Sequence, residues 1–141
     1  MLFLLFRIGD ESYALAAEEI VEVLPLVGLK GIRRAPKGIA GSFDYRGEFV
    51  PVIDLCEIEL GRPAQSLLST RIIMTRYGHG VGTPRLVGLI AERAAETLRC
   101  EPADFAPFAP SAHGLAQRIE LDALLTPALR DYLIGELAEI G

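Results

Sequence analysis

The chain has 141 residues, half of them hydrophobic, and carries 14 Lys and Arg against 19 Asp and Glu, a formal net charge of −5. Such hydrophobicity argues against a disordered chain, and the acidic balance argues against nucleic-acid binding, which depends on neutralising phosphates. No run approaches the roughly 18 apolar residues of a membrane span, so no direct membrane insertion is expected. The length suits a single domain over residues 1–141. Two cysteines and two histidines leave little material for a metal site, and no metal or cofactor is expected. The apolar opening is short, lacks a basic start and meets Arg7 early, so it does not read as an export signal. The expected location is cytoplasmic, with Cys56 and Cys100 as reduced thiols.

The chain punctuates as a mainly β protein with a helical end. Leu2-Phe3-Leu4-Leu5-Phe6-Arg7-Ile8, a Gly9-Asp10 break and Tyr13-Ala14-Leu15 predict a hairpin. Residues 16–24 begin as a short helix and continue extended, because Pro25 pushes Leu24 out of the α region. Lys30, Arg33, Arg34 and Lys37 share a loop or edge segment around Pro36. It reads equally as a solvated loop or an electrostatic dock for an acidic partner; Leu29, Ile32 and Ile39 among the cations tilt it toward an interface.

Residues 38–45 read as a glycine-rich strand and Arg46-Gly47-Glu48 as a turn. Phe49-Val50-Pro51-Val52-Ile53-Asp54-Leu55 reads as the returning strand. Gly41 inside a strand marks a bend or a place where another backbone comes close, and Pro51 requires an edge or bulge on its side. A polar linker over 61–66 precedes a strand over 70–77. A loose loop carrying His79 follows, then strands over 85–90 and 95–99. Residues 101–114, rich in Ala and Pro, read as a surface loop, and 117–121 as a strand. Thr126 is the expected N-cap and Pro127 the first residue of a final helix whose Leu129, Leu133, Leu137 and Ile140 share one face.

The residues offer no catalytic centre. There is no Gly-x-Ser-x-Gly elbow, and His79 and His113 both sit in loop contexts. The Gly78-His79-Gly80-Val81-Gly82 run lacks the Lys-Ser/Thr ending of a phosphate loop. Asp44 and Asp54 read more simply as a turn acceptor and a strand-end residue than as paired catalytic carboxylates. An enzyme is not expected. A small sensory or ligand-binding β-barrel is the alternative, and an open apolar pocket would favour it.

Three segments together carry a family likeness. They are Phe3-Leu4-Leu5-Phe6-Arg7-Ile8-Gly9-Asp10-Glu11-Ser12-Tyr13-Ala14-Leu15, then Ile20-Val21-Glu22-Val23, then residues 38–55 with their Asp44-Tyr45-Arg46-Gly47 and Pro51-Val52-Ile53-Asp54-Leu55 blocks. With Leu86-Val87-Gly88-Leu89-Ile90-Ala91-Glu92, they resemble the CheW-like chemotaxis coupling proteins over about residues 3–100. The stretch from Val23 through Gly47 is closer still to the CheW-like members of Wsp-type surface-sensing arrays.

The resemblance implies a non-catalytic adaptor made of two small SH3-like β-barrel lobes packed on each other. Its implied partners are the regulatory domain of a CheA-type histidine kinase and the cytoplasmic tip of a chemoreceptor. By motif, Ile20, Glu22, Val23 and Gly41 fall on the receptor side, and Tyr45, Arg46, Gly47, Glu48 and Phe49 on the kinase side. The sequence departs from the family after the 101–112 loop, where about one strand is missing, so the second lobe is expected to be shortened with an unpaired edge. The long loop, the C-terminal helix, or a second copy in a homodimer is expected to cover it.

Overall fold

The computed structural model describes every residue except Val81, His113 and Gly141, and no side chain of residues 136–140. The candidate residue His113 and the side chains of Leu137 and Ile140 therefore lie outside the described residues. In chain order the elements are β1 (Leu2–Ile8), β2 (Glu11–Ala16), β3 (Ile20–Pro25), β4 (Ile39–Tyr45), β5 (Glu48–Asp54), α1 (Leu55–Leu60), β6 (Arg71–Tyr77), β7 (Arg85–Arg99), β8 (Phe108–Ser111), β9 (Gly114–Arg118), α2 (Leu121–Leu124) and α3 (Pro127–Ile140).

The strands form two five-stranded lobes that share β7. One lobe runs β3-β6-β7-β5-β4, the other β7-β1-β2-β9-β8. The 15 residues of β7, read in the sequence as two strands, are continuous. The first half pairs with β6 and β5, and the second with β1. The change of lobe falls at Arg93, whose φ of +50° is a left-handed kink in a non-glycine residue. The core lies where the lobes meet: Leu4, Phe6, Ile8 and Leu15 from one pack with Ile53, Ile73, Val87 and Leu89 from the other. Leu121, Leu124, Leu129 and Leu133 close over it from α2 and α3.

The segment after residue 100 corrects the sequence reading. Residues 108–111 are a strand, paired antiparallel with β9, which in turn runs parallel to β2. The lobe thus has five strands, and the strand expected to be missing is present. The shortening lies in strand length, with four residues in β8 and five in β9. The inward residues are Ala109 and Ala116, both buried, so small side chains hid the strand alternation. The outer edge of β8 has no strand beside it among the described residues. Its shortness and Pro110 blunt that edge, which removes the reason for expecting a covering copy.

Two helices were also not foreseen. Asp54 ends β5 and caps α1, its Oδ1 accepting from the Cys56 and Glu57 N–H groups at 3.0 and 3.3 Å. Gly61, at φ +71°, ends α1 in the left-handed conformation favoured by glycine. The last helix starts as the sequence predicted: Thr126 Oγ1 accepts from the Leu129 N–H at 3.2 Å. Leu129 and Leu133 are fully buried. Among the described residues, no helix is long and apolar enough to cross a membrane.

Candidate functional site

The site is built where the first lobe curls back on itself. Its end strands, β3 and β4, lie far apart in the ladder order, and contacts from β3 and from the segment that follows it reach β4 across the seam. Lys30 and Ser42 exchange backbone hydrogen bonds, both 2.8 Å. The Tyr45 hydroxyl donates to Glu22 Oε1. That bond holds the Tyr45 phenol above its ordinary pKa; burial adds to the rise and the Arg46 guanidinium opposes it.

The β4–β5 connection is a two-residue turn of Arg46 and Gly47 between the facing pair Tyr45 and Glu48. Both turn residues have positive φ, +53° and +86°, the mirror-image geometry that matches the twist of a hairpin. Asp44 Oδ1 accepts from the Gly47 N–H at 2.7 Å and fixes the turn. The geometry sends Arg46 outward, where its guanidinium lies 5.0 Å from the Tyr45 ring centroid and 4.0 Å from Glu22. Its side chain is 79 % exposed, so the ion pair adds little to stability. The planar cation stacked on an aromatic is a good anchor for an interface.

The structure therefore brings Glu22, which the resemblance puts on the receptor side, together with Tyr45 and Arg46, which it puts on the kinase side. The other sequence-chosen residues take different positions. Ile20 and Val23 are half-buried and pack against the core. Between them, the register of β3 slips by one residue, leaving Val21 as a bulge. Val21 is 45 % exposed, so it, and not Ile20 or Val23, presents apolar surface beside Glu22. Strand alternation gives no warning of a bulge, so sequence reasoning missed it.

Gly41 is buried with φ +150°, and a Cβ there would stand 2.7 Å from the Lys30 carbonyl oxygen and 2.9 Å from Leu29 Cβ. The close backbone approach foreseen at this glycine is made by the chain's own seam, and a partner helix is not needed to explain it. Glu48 accepts from the Leu86 N–H at 3.0 Å and lies 3.9 Å from Arg85, which ties the turn to β7. Phe49 is half-buried opposite Asp44.

Elsewhere, a cleft of about 560 Å³ is lined by Glu18, Glu19, Arg76, His79, Glu120 and Asp122 among others. Val21, Tyr77, Leu121 and Ile134 share that lining, so the hollow mixes charged and apolar groups, and Val21 joins it to the surface beside Glu22. Among the described residues, no group of three or more His, Cys, Asp or Glu is placed to hold a metal ion. Cys56 is fully buried and its thiol is pushed up to about 11 by burial and by the Glu92 and Asp54 carboxylates, the opposite of a reactive cysteine.

Comparison with known proteins agrees with this architecture. The scaffolding protein TtCheW of Thermoanaerobacter tengcongensis superposes with a TM-score of 0.74 at 22 % identity, covering 89 % of this chain and 87 % of that one. The chain is 28 % identical over 106 residues to the chemotaxis protein CheW of Helicobacter pylori, covering 74 % of this chain and 61 % of that protein. It is 30 % identical over 105 residues to protein FrzA of Myxococcus xanthus, covering 74 % and 62 %. The matches thus span about three-fifths of the length of these curated relatives. The CheW-like domain model matches residues 2–121, and on that match, over a two-lobed β fold with the same overall shape as a CheW scaffold, the chain belongs to the CheW-like domain family.

Proposed function

We propose that this chain is a non-catalytic adaptor of bacterial chemosensory signalling, coupling the cytoplasmic tip of a chemoreceptor to the regulatory domain of a CheA-type histidine kinase. It acts in the cytoplasm as one domain over residues 1–141 and is recruited to membrane-associated receptor arrays. Family membership and the chemotaxis relative support the reading. The observation that carries it is the interlock of Glu22, Tyr45 and Arg46 across the seam. Residues matched by motif to the two partner sides meet there in one patch, so an adaptor can sense one partner through groups that touch the other.

In this reading Glu22 and Val21 face the receptor, while Tyr45, Arg46 and Phe49 face the kinase. Gly41, Gly47, Ile20, Val23 and Glu48 act by holding the patch in shape. Reversible coupling calls for single contacts near micromolar strength, about −8 kcal/mol each, with array assembly arising from many of them together. Co-sedimentation tests it: a clustered receptor-tip fragment should pellet the kinase only when this protein is added. Pelleting that is independent of the protein, or its absence with both partners folded, overturns the reading.

A further inference from the structure

The segment from 26 to 37 touches the seam through the Lys30 backbone and Leu29, but its cationic side chains are not used by the coupling patch, and its charge is unusual for this chain. It holds Lys30, Arg33, Arg34 and Lys37 in a protein of net charge −5, so the remainder of the chain carries −9. All four cations are exposed, and none forms an ion pair among the described residues. A solvated surface of an acidic protein would be expected to pair at least some of them.

The segment is also held in place. Lys30 is bonded in both directions to Ser42, the Ile39 N–H reaches the Pro36 carbonyl at 3.3 Å, and the Asp54 N–H reaches the Gly38 carbonyl at 2.8 Å. Arg34 makes its turn at φ +63°. The apolar residues that suggested an interface in the sequence are partly spent inside. Leu29 packs on the cluster around Val50 and Ile72, and Ile39 on the main core. The exposed apolar surface of the segment is instead Leu26 and Val27, 36 % and 40 % exposed, at its start.

We propose that residues 26–37 form a preorganised docking platform for an acidic, amphipathic protein segment, with carboxylates on the four cations and an apolar stripe on Leu26 and Val27. Charge complementarity selects an anionic occupant. The cations lie within one twelve-residue segment, which suits a peptide over a membrane or a duplex, because an extended polyanion would also face the rest of the chain, whose net charge is −9. The exposed Leu26 and Val27 give the segment's apolar face a seat that nucleic acid would not use. Because the platform is already ordered, little conformational entropy is lost on binding. The proposal goes beyond the coupling reading and does not depend on it.

The test is fluorescence anisotropy with a labelled synthetic helix carrying Leu on one face and Glu on the other. Controls are a scrambled peptide of equal charge, vesicles containing phosphatidylglycerol, and duplex DNA. We expect saturable binding that weakens about fivefold as salt rises from about 50 to about 250 mM. Arg33→Glu with Arg34→Glu should weaken it at least about tenfold, and Leu26→Ser with Val27→Ser about fivefold, while Arg46→Ala leaves it unchanged. If the arginine pair fails to fold, Lys30→Glu with Lys37→Glu is the second charge reversal. Absence of saturable binding, equal binding of the scrambled peptide, indifference to charge reversal, or tighter binding to vesicles or DNA would each overturn the proposal.

Discussion

Removing the Asp54 carboxylate should destabilise the fold by more than the loss of an ordinary helix cap. Asp54 is 6 % exposed and accepts three backbone bonds: Oδ1 takes the Cys56 and Glu57 N–H groups, and Oδ2 takes the Ala64 N–H at 2.9 Å. Losing the cap costs about 1 kcal/mol. Leaving the half-buried Ala64 donor unpaired costs about 1–2 kcal/mol more, so Asp54→Ala should lose roughly 2–3 kcal/mol. With a urea slope of about 1.5 kcal/mol/M, the unfolding midpoint should fall by about 1.3–2 M. Asp54→Asn keeps one acceptor oxygen but turns an NH₂ toward a donor, and should fall between the two. Asp44→Ala, which removes one exposed bond to Gly47, should cost less than about 1 kcal/mol. The assay is urea titration followed by circular dichroism. Asp54→Ala within about 0.5 kcal/mol of the parent chain, or Asp54→Asn equal to it, would refute the assignment of both carboxylate oxygens to structure.

Three further outcomes follow from the geometry. Gly41→Ala places a methyl against the Lys30 carbonyl, so amide exchange at Lys30 and Ser42 should accelerate and stability fall by about 2–3 kcal/mol; unchanged protection there would contradict the seam. The thiol of Cys56, pushed up to about 11 from an ordinary 9.0, favours the folded state below pH 9, and that contribution is lost as pH rises through 11. The loss between pH 9 and pH 11 should shrink by roughly 2 kcal/mol in Cys56→Ala, and Cys56 should resist alkylation in the native protein. The Glu92 carboxyl is raised by burial, but the Gln65 N–H and Arg62 outweigh this and leave it below its ordinary value. It therefore adds stability above pH 4.5 that fades as pH falls further, and Glu92→Gln should flatten that acid limb.

How much of this was legible depended on side-chain size and on bulges. The β1–β2 hairpin, β4, β5 and β6 announced themselves by large apolar residues and by Gly-Asp or Arg-Gly breaks. The last helix was marked by Thr126 and Pro127. The strand β8 was not legible, because its buried position is alanine and Pro110 lies in it; its partner β9 could be read only at its end. The α1 helix did carry its signals, Asp54 as cap and Gly61 as stop, but the apolar run before it read as strand through Leu55. The parallel pairings of β5 with β7 and of β2 with β9 join distant segments and leave no local pattern.

The candidate patch was half legible for the same reasons. The Arg46-Gly47 turn followed from its residues and its motif. Val21 was hidden by a bulge, and the meeting of Glu22 with Tyr45 depends on the curl of a whole lobe. That curl is a tertiary property, and neither segment encodes it alone. Gly41 was rightly singled out as a close-approach position, yet the approaching backbone belongs to the chain itself.

The most direct test of the coupling account is a calorimetric titration of this protein against the regulatory domain of a CheA-type kinase, with the Arg46→Ala variant beside it. The account predicts saturable one-to-one binding at about micromolar strength, at least about tenfold weaker in Arg46→Ala, with the variant's near-ultraviolet dichroism unchanged. No heat at high concentration from the folded protein, or equal binding by Arg46→Ala, would contradict it.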